Sequence, residues 1–259
     1  MKNALKAIVI KDLRGITANR QLFAMILIVP IVLAVVLPSA FVLVSHFLPE
    51  EMGELGRLLD KIPGLAGLGQ RELSLVINYL IPVFFLLIPV MASSVMAASA
   101  FVGEKEKQTL ETLLYSPLSL KEIFRAKVLA AFALGMLVSA LSFGLMLVVM
   151  ELLIWLLKGV FVWPNLNWLV VLLLMAPALS LIAITLIVRL SAKAKSVMEA
   201  QQAGGFMVLP LVMLATGQFT GVLVLSVWLL LALGLAAMAL ALFLLSRAMR
   251  RFSYEKLLQ

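Results

Sequence analysis

Glu104, Lys105, Glu106 and Lys107 break into a sequence that is otherwise mostly hydrocarbon, and Lys121, Glu122, Arg125 and Lys127 close the interval before the next apolar run. Between the two groups, Leu110, Leu113, Leu114 and Leu118 recur at helical spacing, with Thr109 and Glu111 on other faces. These residue types offer charge pairing and apolar contact, not catalysis. Pro117 disfavours helix at Ser116, so a first short helix stops near Tyr115. Ser119 and Glu122 have the spacing of a capping box, which restarts a helix leading into the following apolar segment. A capped helix–break–helix is more order than a passive connector needs, although a solvated loop with some interfacial helix is the plainer alternative.

Other groups that could carry chemistry are few. Glu151 is the acidic residue that lies well inside an apolar segment, and intramembrane carboxylates are costly and usually functional. It also lies near Trp155 and Lys158, where an interfacial ion pair or anchor would serve equally, so it stands as an intramembrane candidate. His46, the single histidine, falls near the outer end of an apolar run and reads as incidental. The glycine-rich run at residues 64–69 is followed by no Lys-Ser or Lys-Thr and reads as a pliable turn. The dipeptide Gly-Lys occurs nowhere, which excludes a P-loop in this chain. No HExxH or GxSxG occurs, so no catalytic, metal or cofactor group is expected.

The elements that position these residues are set by composition. The chain has 259 residues, 64% of them hydrophobic, and a mean hydropathy of +1.15, which is an all-α integral membrane protein rather than a soluble domain. The net charge of +8 is better explained by cytoplasmic lysine and arginine than by nucleic acid. Residues 1–20 place Lys2, Lys6, Lys11, Arg14 and Arg20 among Leu5, Ile8, Val9 and Leu13, a basic interfacial helix on the cytoplasmic face. Apolar runs at 22–48, 73–102, 126–157 and 168–188 give four spans, kinked at Pro30, Pro38, Pro82, Pro89 and Pro177. Small residues at 92–100, and Gly135, Ser139, Ser142 and Gly144, mark close helix contacts. Residues 204–246 carry no charge, and forty-three residues make about 65 Å of helix, enough for spans at 204–216 and 222–246.

Six spans with both termini cytoplasmic result. Seventeen of the 21 basic residues then lie inside, against Arg57, Lys61, Arg71 and Lys158 outside, which fixes the orientation and puts residues 104–127 in the cytoplasm. Buried charges are scarce, which disfavours an ion-coupled secondary carrier, and a non-transporting membrane assembly factor is the other alternative.

The run from Glu104 to Lys127 resembles the loop after the second span of ABC-2-type transporter permeases. Glu104, Lys105, Glu106, Thr109, Leu110, Glu111, Leu113, Leu114, Pro117, Leu118, Ser119 and Lys127 match its pattern, and Gln108 departs from it where glycine is common. The resemblance implies that this segment is a coupling helix docked on a separate cytoplasmic ABC ATPase, with ATP and magnesium held in that partner. Leu110, Leu113 and Leu114 would seat it; Glu104, Glu106 and Glu111 would set its register through charge pairs. A second permease copy or paralogue would complete the pathway in the cell membrane, making the chain the permease subunit of an exporter.

Overall fold

The computed structural model describes residues 10–11, 15, 20–48, 76–106, 119–191, 193–194, 196–219 and 226–251. Among them every regular element is helical. Besides the helical Ile10, Lys11 and Gly15, the described residues form α1 (Arg20–Ile31), α2 (Leu37–Phe47), α3 (Ile81–Phe85), α4 (Leu87–Glu106), α5 (Leu120–Lys158), α6 (Leu166–Val170), α7 (Ala176–Ser191), α8 (Val197–Gly205), α9 (Val208–Phe219) and α10 (Val227–Arg251). Among the described residues, five stretches are long and apolar enough to cross a bilayer: Ile26–Phe47, Val76–Glu106, Lys121–Lys158, Leu166–Ser191 and Val227–Arg250. Most of the expected interfacial helix at 1–20, the loop after the first span and residues 107–118 lie outside the described residues.

Proline shapes three of these stretches in the same way. Wider π turns run over Val32–Val36, Val76–Leu80 and Val171–Met175, and each ends two residues before a proline: Pro38, Pro82 and Pro177. A proline ring collides with the carbonyl four residues back, here at Ala34, Asn78 and Leu173, all within the wider turns. Widening the turn moves that carbonyl aside without ending the helix. The kinks expected at these prolines therefore take the form of π turns.

The turn before Pro82 also leaves carbonyls without their helical donor, because proline has no N–H. At membrane depth such groups must be satisfied within the protein. The start of the fourth span supplies the donors. Trp168 Nε1 donates to the Ile77 carbonyl at 3.1 Å, and Asn167 Nδ2 donates to the Asn78 carbonyl at 3.0 Å. Asn78 Oδ1 in turn accepts from the Asn165 N–H at 2.8 Å. Trp168, Phe85 and Phe143 pack edge-on or tilted around this latch, with centroids 5.0–5.9 Å apart. Glu151 lies at the same end of the bundle, half-buried. Its carboxylate accepts from the Val162 N–H at 3.3 Å rather than pairing with Lys158, so it holds the turn after α5.

At the centre of the bundle is α4, buried along nearly its whole length. Its small residues let α5 approach closely. A Cβ added to Gly135 would lie 2.0 Å from Ser93 Oγ and 3.1 Å from Ser93 Cβ, so a side chain there has no room. Gly144, marked with it as a contact residue, has nothing within 4 Å. Ser139 and Ser142 donate instead to the carbonyls of Gly135 and Val138, one turn back on their own helix.

The expected fifth span at 204–216 is replaced by two short helices, α8 and α9, joined at Phe206–Met207. The break has two local causes: Gly204 and Gly205 are poor helix formers, and the Pro210 ring would collide with the Phe206 carbonyl. Neither piece crosses a bilayer alone, since twelve residues make about 18 Å. Together they run alongside the second span from one end to the other. Glu106 meets Val197 at one end, and Leu211 and Ala215 share a core with Val76, Ile77, Leu80 and Ile81 at the other.

Candidate coupling site at the charged end

The two helices that bracket residues 107–118 are α4, ending at Glu106, and α5, whose N-cap is Ser119. The capping box expected from sequence is present in full. Glu122 Oε2 accepts from the Ser119 N–H at 2.9 Å and from its hydroxyl at 2.7 Å, and Ser119 Oγ accepts from the Glu122 N–H at 3.4 Å. The start of α5 is therefore fixed whatever the preceding segment does.

A buried ion pair ties α4 to α5 just inside these ends. Glu104 is 5% exposed and Lys127 3%, with Lys127 Nζ 2.7 Å from Glu104 Oε2. The same ammonium donates to the Ala100 carbonyl and lies 5.6 Å from the Phe101 ring centroid. Phe101 meets Phe124 edge-on at 5.8 Å, which keeps water from the pair on that side. The other oxygen of Glu104 pairs with Lys11 Nζ at 2.5 Å, a lysine that is half exposed and belongs to the basic N-terminal stretch.

Glu106, two residues on, is exposed and faces a different helix. Its Oε2 accepts from the Val197 N–H at 2.9 Å, while Ser196 Oγ accepts from the Glu199 N–H at 3.2 Å. The first turn of α8 thus has two of its orphan donors satisfied, one by a carboxylate that also complements the helix dipole. Val197 also packs beside Gly103, where a Cβ would meet Val197 Cγ2 at an ordinary contact distance of 3.5 Å.

The charges of residues 104–106 are therefore divided. Glu104 was expected on the docking surface, but it is turned inward, and its register-setting contacts are with Lys11 and Lys127 of its own chain. Glu106 holds α8. Lys105 is partly exposed. Thr109, Leu110, Glu111, Leu113, Leu114, Pro117 and Leu118 lie outside the described residues. Sequence reasoning missed the inward role of Glu104, yet a signal was present. Ser93, Ala97, Ala100 and Glu104 follow one another at helical spacing, so the small-residue packing face of α4 continues directly onto this carboxylate. Across from it, Lys127, Ala131 and Gly135 form the matching face of α5.

Mechanically, the arrangement is a clamp. A displacement of residues 107–118 would meet two helices locked together by a desolvated ion pair, with the N-terminal stretch and α8 attached to the same point. Separating α4 from α5 would break the buried Glu104–Lys127 pair, at a cost of about 3–5 kcal/mol.

A family model described as ABC-2 type transporter matches residues 3–229. No curated protein and no solved structure matches the chain.

Proposed function

The chain belongs to the ABC-2 type transporter family, and from that membership we propose that it is the permease subunit of an ABC exporter, driven by a separate cytoplasmic ATPase. Residues 107–118 form the coupling element in this reading. Leu110, Leu113 and Leu114 seat it in a groove of the ATPase, and Glu111 and Lys105 set its register. Closure of the ATPase around ATP pushes on the element from below. The observation that carries the proposal is the Glu104–Lys127 pair, which makes α4 and α5 respond to that push as one body. Glu106 and Lys11 extend the response to α8 and the N-terminal stretch.

The chain crosses the membrane six times in this reading, with α8 and α9 together as the fifth crossing. Residues 197–219 amount to about 34 Å of helix, comparable to a hydrocarbon core of roughly 30 Å. Their path along the whole second span supports that count. Both termini and residues 104–127 then face the cytoplasm, in accord with the distribution of basic residues. A second copy or a paralogue completes the transport pathway.

Purification tests the reading. Extracted from its native membrane in mild detergent, the tagged chain should bring down an ABC ATPase, and a chain lacking residues 107–118 should lose that partner while still inserting. Transport driven by an ion gradient, with no ATPase bound to the intact chain, would refute it.

A further inference from the structure

A small cleft opens between the first turns of α5 and the last turns of α10, lined by Lys121, Phe124, Arg125 and Met249, with a volume of about 20 Å³. Its floor is apolar, because Phe124 is buried and Met249 packs against the same core. Its rim is basic: Lys121 and Arg125 are exposed, one helical turn apart, and Arg247 and Arg250 are exposed on either side of Met249. The carboxylate closest to the rim in sequence, Glu122, is engaged by the Ser119 N–H and hydroxyl. Among the described residues the rim thus sets four cations, Lys121, Arg125, Arg247 and Arg250, against the one carboxylate of Glu122.

The depth of the cleft identifies the class of anion. Lys121 is the first residue of one candidate span and Arg250 the last of another, so the cleft sits where the apolar surface meets the headgroups. Lys121, Arg125 and Leu129 follow at positions i, i+4 and i+8 along one face of α5. Leu129 is 65% exposed. Over about 12 Å, this face changes from two cations to a bare hydrocarbon side chain. A soluble anion has no use for the lower part of that stripe, and a cleft this small cannot enclose a nucleotide. We propose that the cleft between α5 and α10 binds an anionic phospholipid, its phosphate held by Lys121 and Arg125 and an acyl chain lying along Leu129.

Seated there, the lipid would contact the first turns of α5, next to the capped end that follows residues 107–118. It would also join α5 to α10, which approach each other at this end through Phe124, Ala248 and Met249. The proposal depends on membrane embedding but not on the ATPase, so it can fail without the transporter reading failing.

The experiment uses the full chain in nanodiscs of phosphatidylcholine containing a minor fraction of phosphatidylglycerol. The phosphatidylglycerol retained on the chain after detergent extraction is then counted by native mass spectrometry. Wild type and Lys158→Gln, which removes an exposed cation at the opposite end, should retain it equally. Lys121→Gln/Arg125→Gln should lose up to about 30-fold, and each single variant roughly fivefold, given about 1 kcal/mol per basic residue at an anionic surface. Leu129→Gln, which leaves the charge unchanged, should also lower retention. Because Lys121, Arg125 and Leu129 are all exposed, the thermal midpoints in detergent should stay alike and serve as the folding control. Equal retention by wild type and the double variant overturns the proposal. Millimolar inorganic phosphate that displaces the lipid completely would also overturn it, since the site would then be for a free anion. Loss of a co-purifying protein from the double variant, with lipid retention unchanged, would give the surface to a protein partner and overturn it as well.

Discussion

Replacing Lys127 with methionine should destabilise the chain by about 3–5 kcal/mol, because it removes the buried ammonium that pairs with Glu104 Oε2 and leaves that carboxylate buried. On a chain of this size, that corresponds to a fall in thermal midpoint on the order of 10 °C. Glu104→Gln combined with Lys127→Met removes both charges, and should recover most of the loss, since a buried ion pair is worth little against neutral groups of similar shape. The cycle also separates stability from coupling. The doubly substituted chain should fold and insert, yet the bond joining α4 to α5 at their charged ends would be gone. The proposed ATPase partner should therefore still bind, with weakened dependence of transport on ATP turnover. A double variant as unstable as Lys127→Met alone would mean that the destabilisation comes from lost packing around the lysine stem, not from an unpaired charge.

The second large effect is expected at Glu111. Glu111→Lys reverses a charge on the proposed docking helix while leaving Leu110, Leu113 and Leu114 in place. Truncating or reversing one member of a desolvated charge pair at an interface costs about 2–5 kcal/mol. That is a loss of roughly 30-fold or more in affinity for the ATPase. The chain should insert normally and keep its thermal midpoint, while ATP hydrolysis in the assembled complex no longer drives export. A compensating charge reversal on the ATPase should restore coupling. Unchanged transport in Glu111→Lys would remove this residue from the docking surface.

Parts of this structure could be read directly from neighbouring residues. The capping box at Ser119 needed only two side chains three residues apart, and it forms as expected. Pro38, Pro82 and Pro177 announced distortions, and each takes the form of a π turn ending two residues before the ring, while the donors that satisfy the freed carbonyls could not be read locally. At Pro82 they find Asn167 and Trp168, some 90 residues away, and no local pattern announces that pairing. The same limit applies to Glu104. Its register on the packing face of α4 was legible, but its partners Lys127 and Lys11 are brought together only by the fold.

The stretch from 197 to 219 shows a different failure. The absence of charge from 204 to 246 suggested spans at 204–216 and 222–246, and length was given more weight than local chemistry. Gly204-Gly205 and Pro210 carried the break in plain view. The segment also begins earlier than its apolar run, at Val197, because Glu106 and Ser196 cap a helix there that still contains Glu199, Gln201 and Gln202. Gly144 illustrates the converse: a small residue at helical spacing with others, yet facing open space.

The chain contains no cysteine, so a single introduced thiol reports on one position without ambiguity. Glu111→Cys, treated in native membranes with a short thiol-to-amine cross-linker, is the most direct probe of whether residues 107–118 meet a motor from below. The expected result is one adduct that joins the 28.2 kDa chain to an ABC ATPase and changes in yield when ATP is added, with no such adduct from a thiol placed at Glu151. A thiol at position 111 that reacts with an impermeant maleimide outside intact cells, or that yields no protein adduct in a transport-competent membrane, would contradict it.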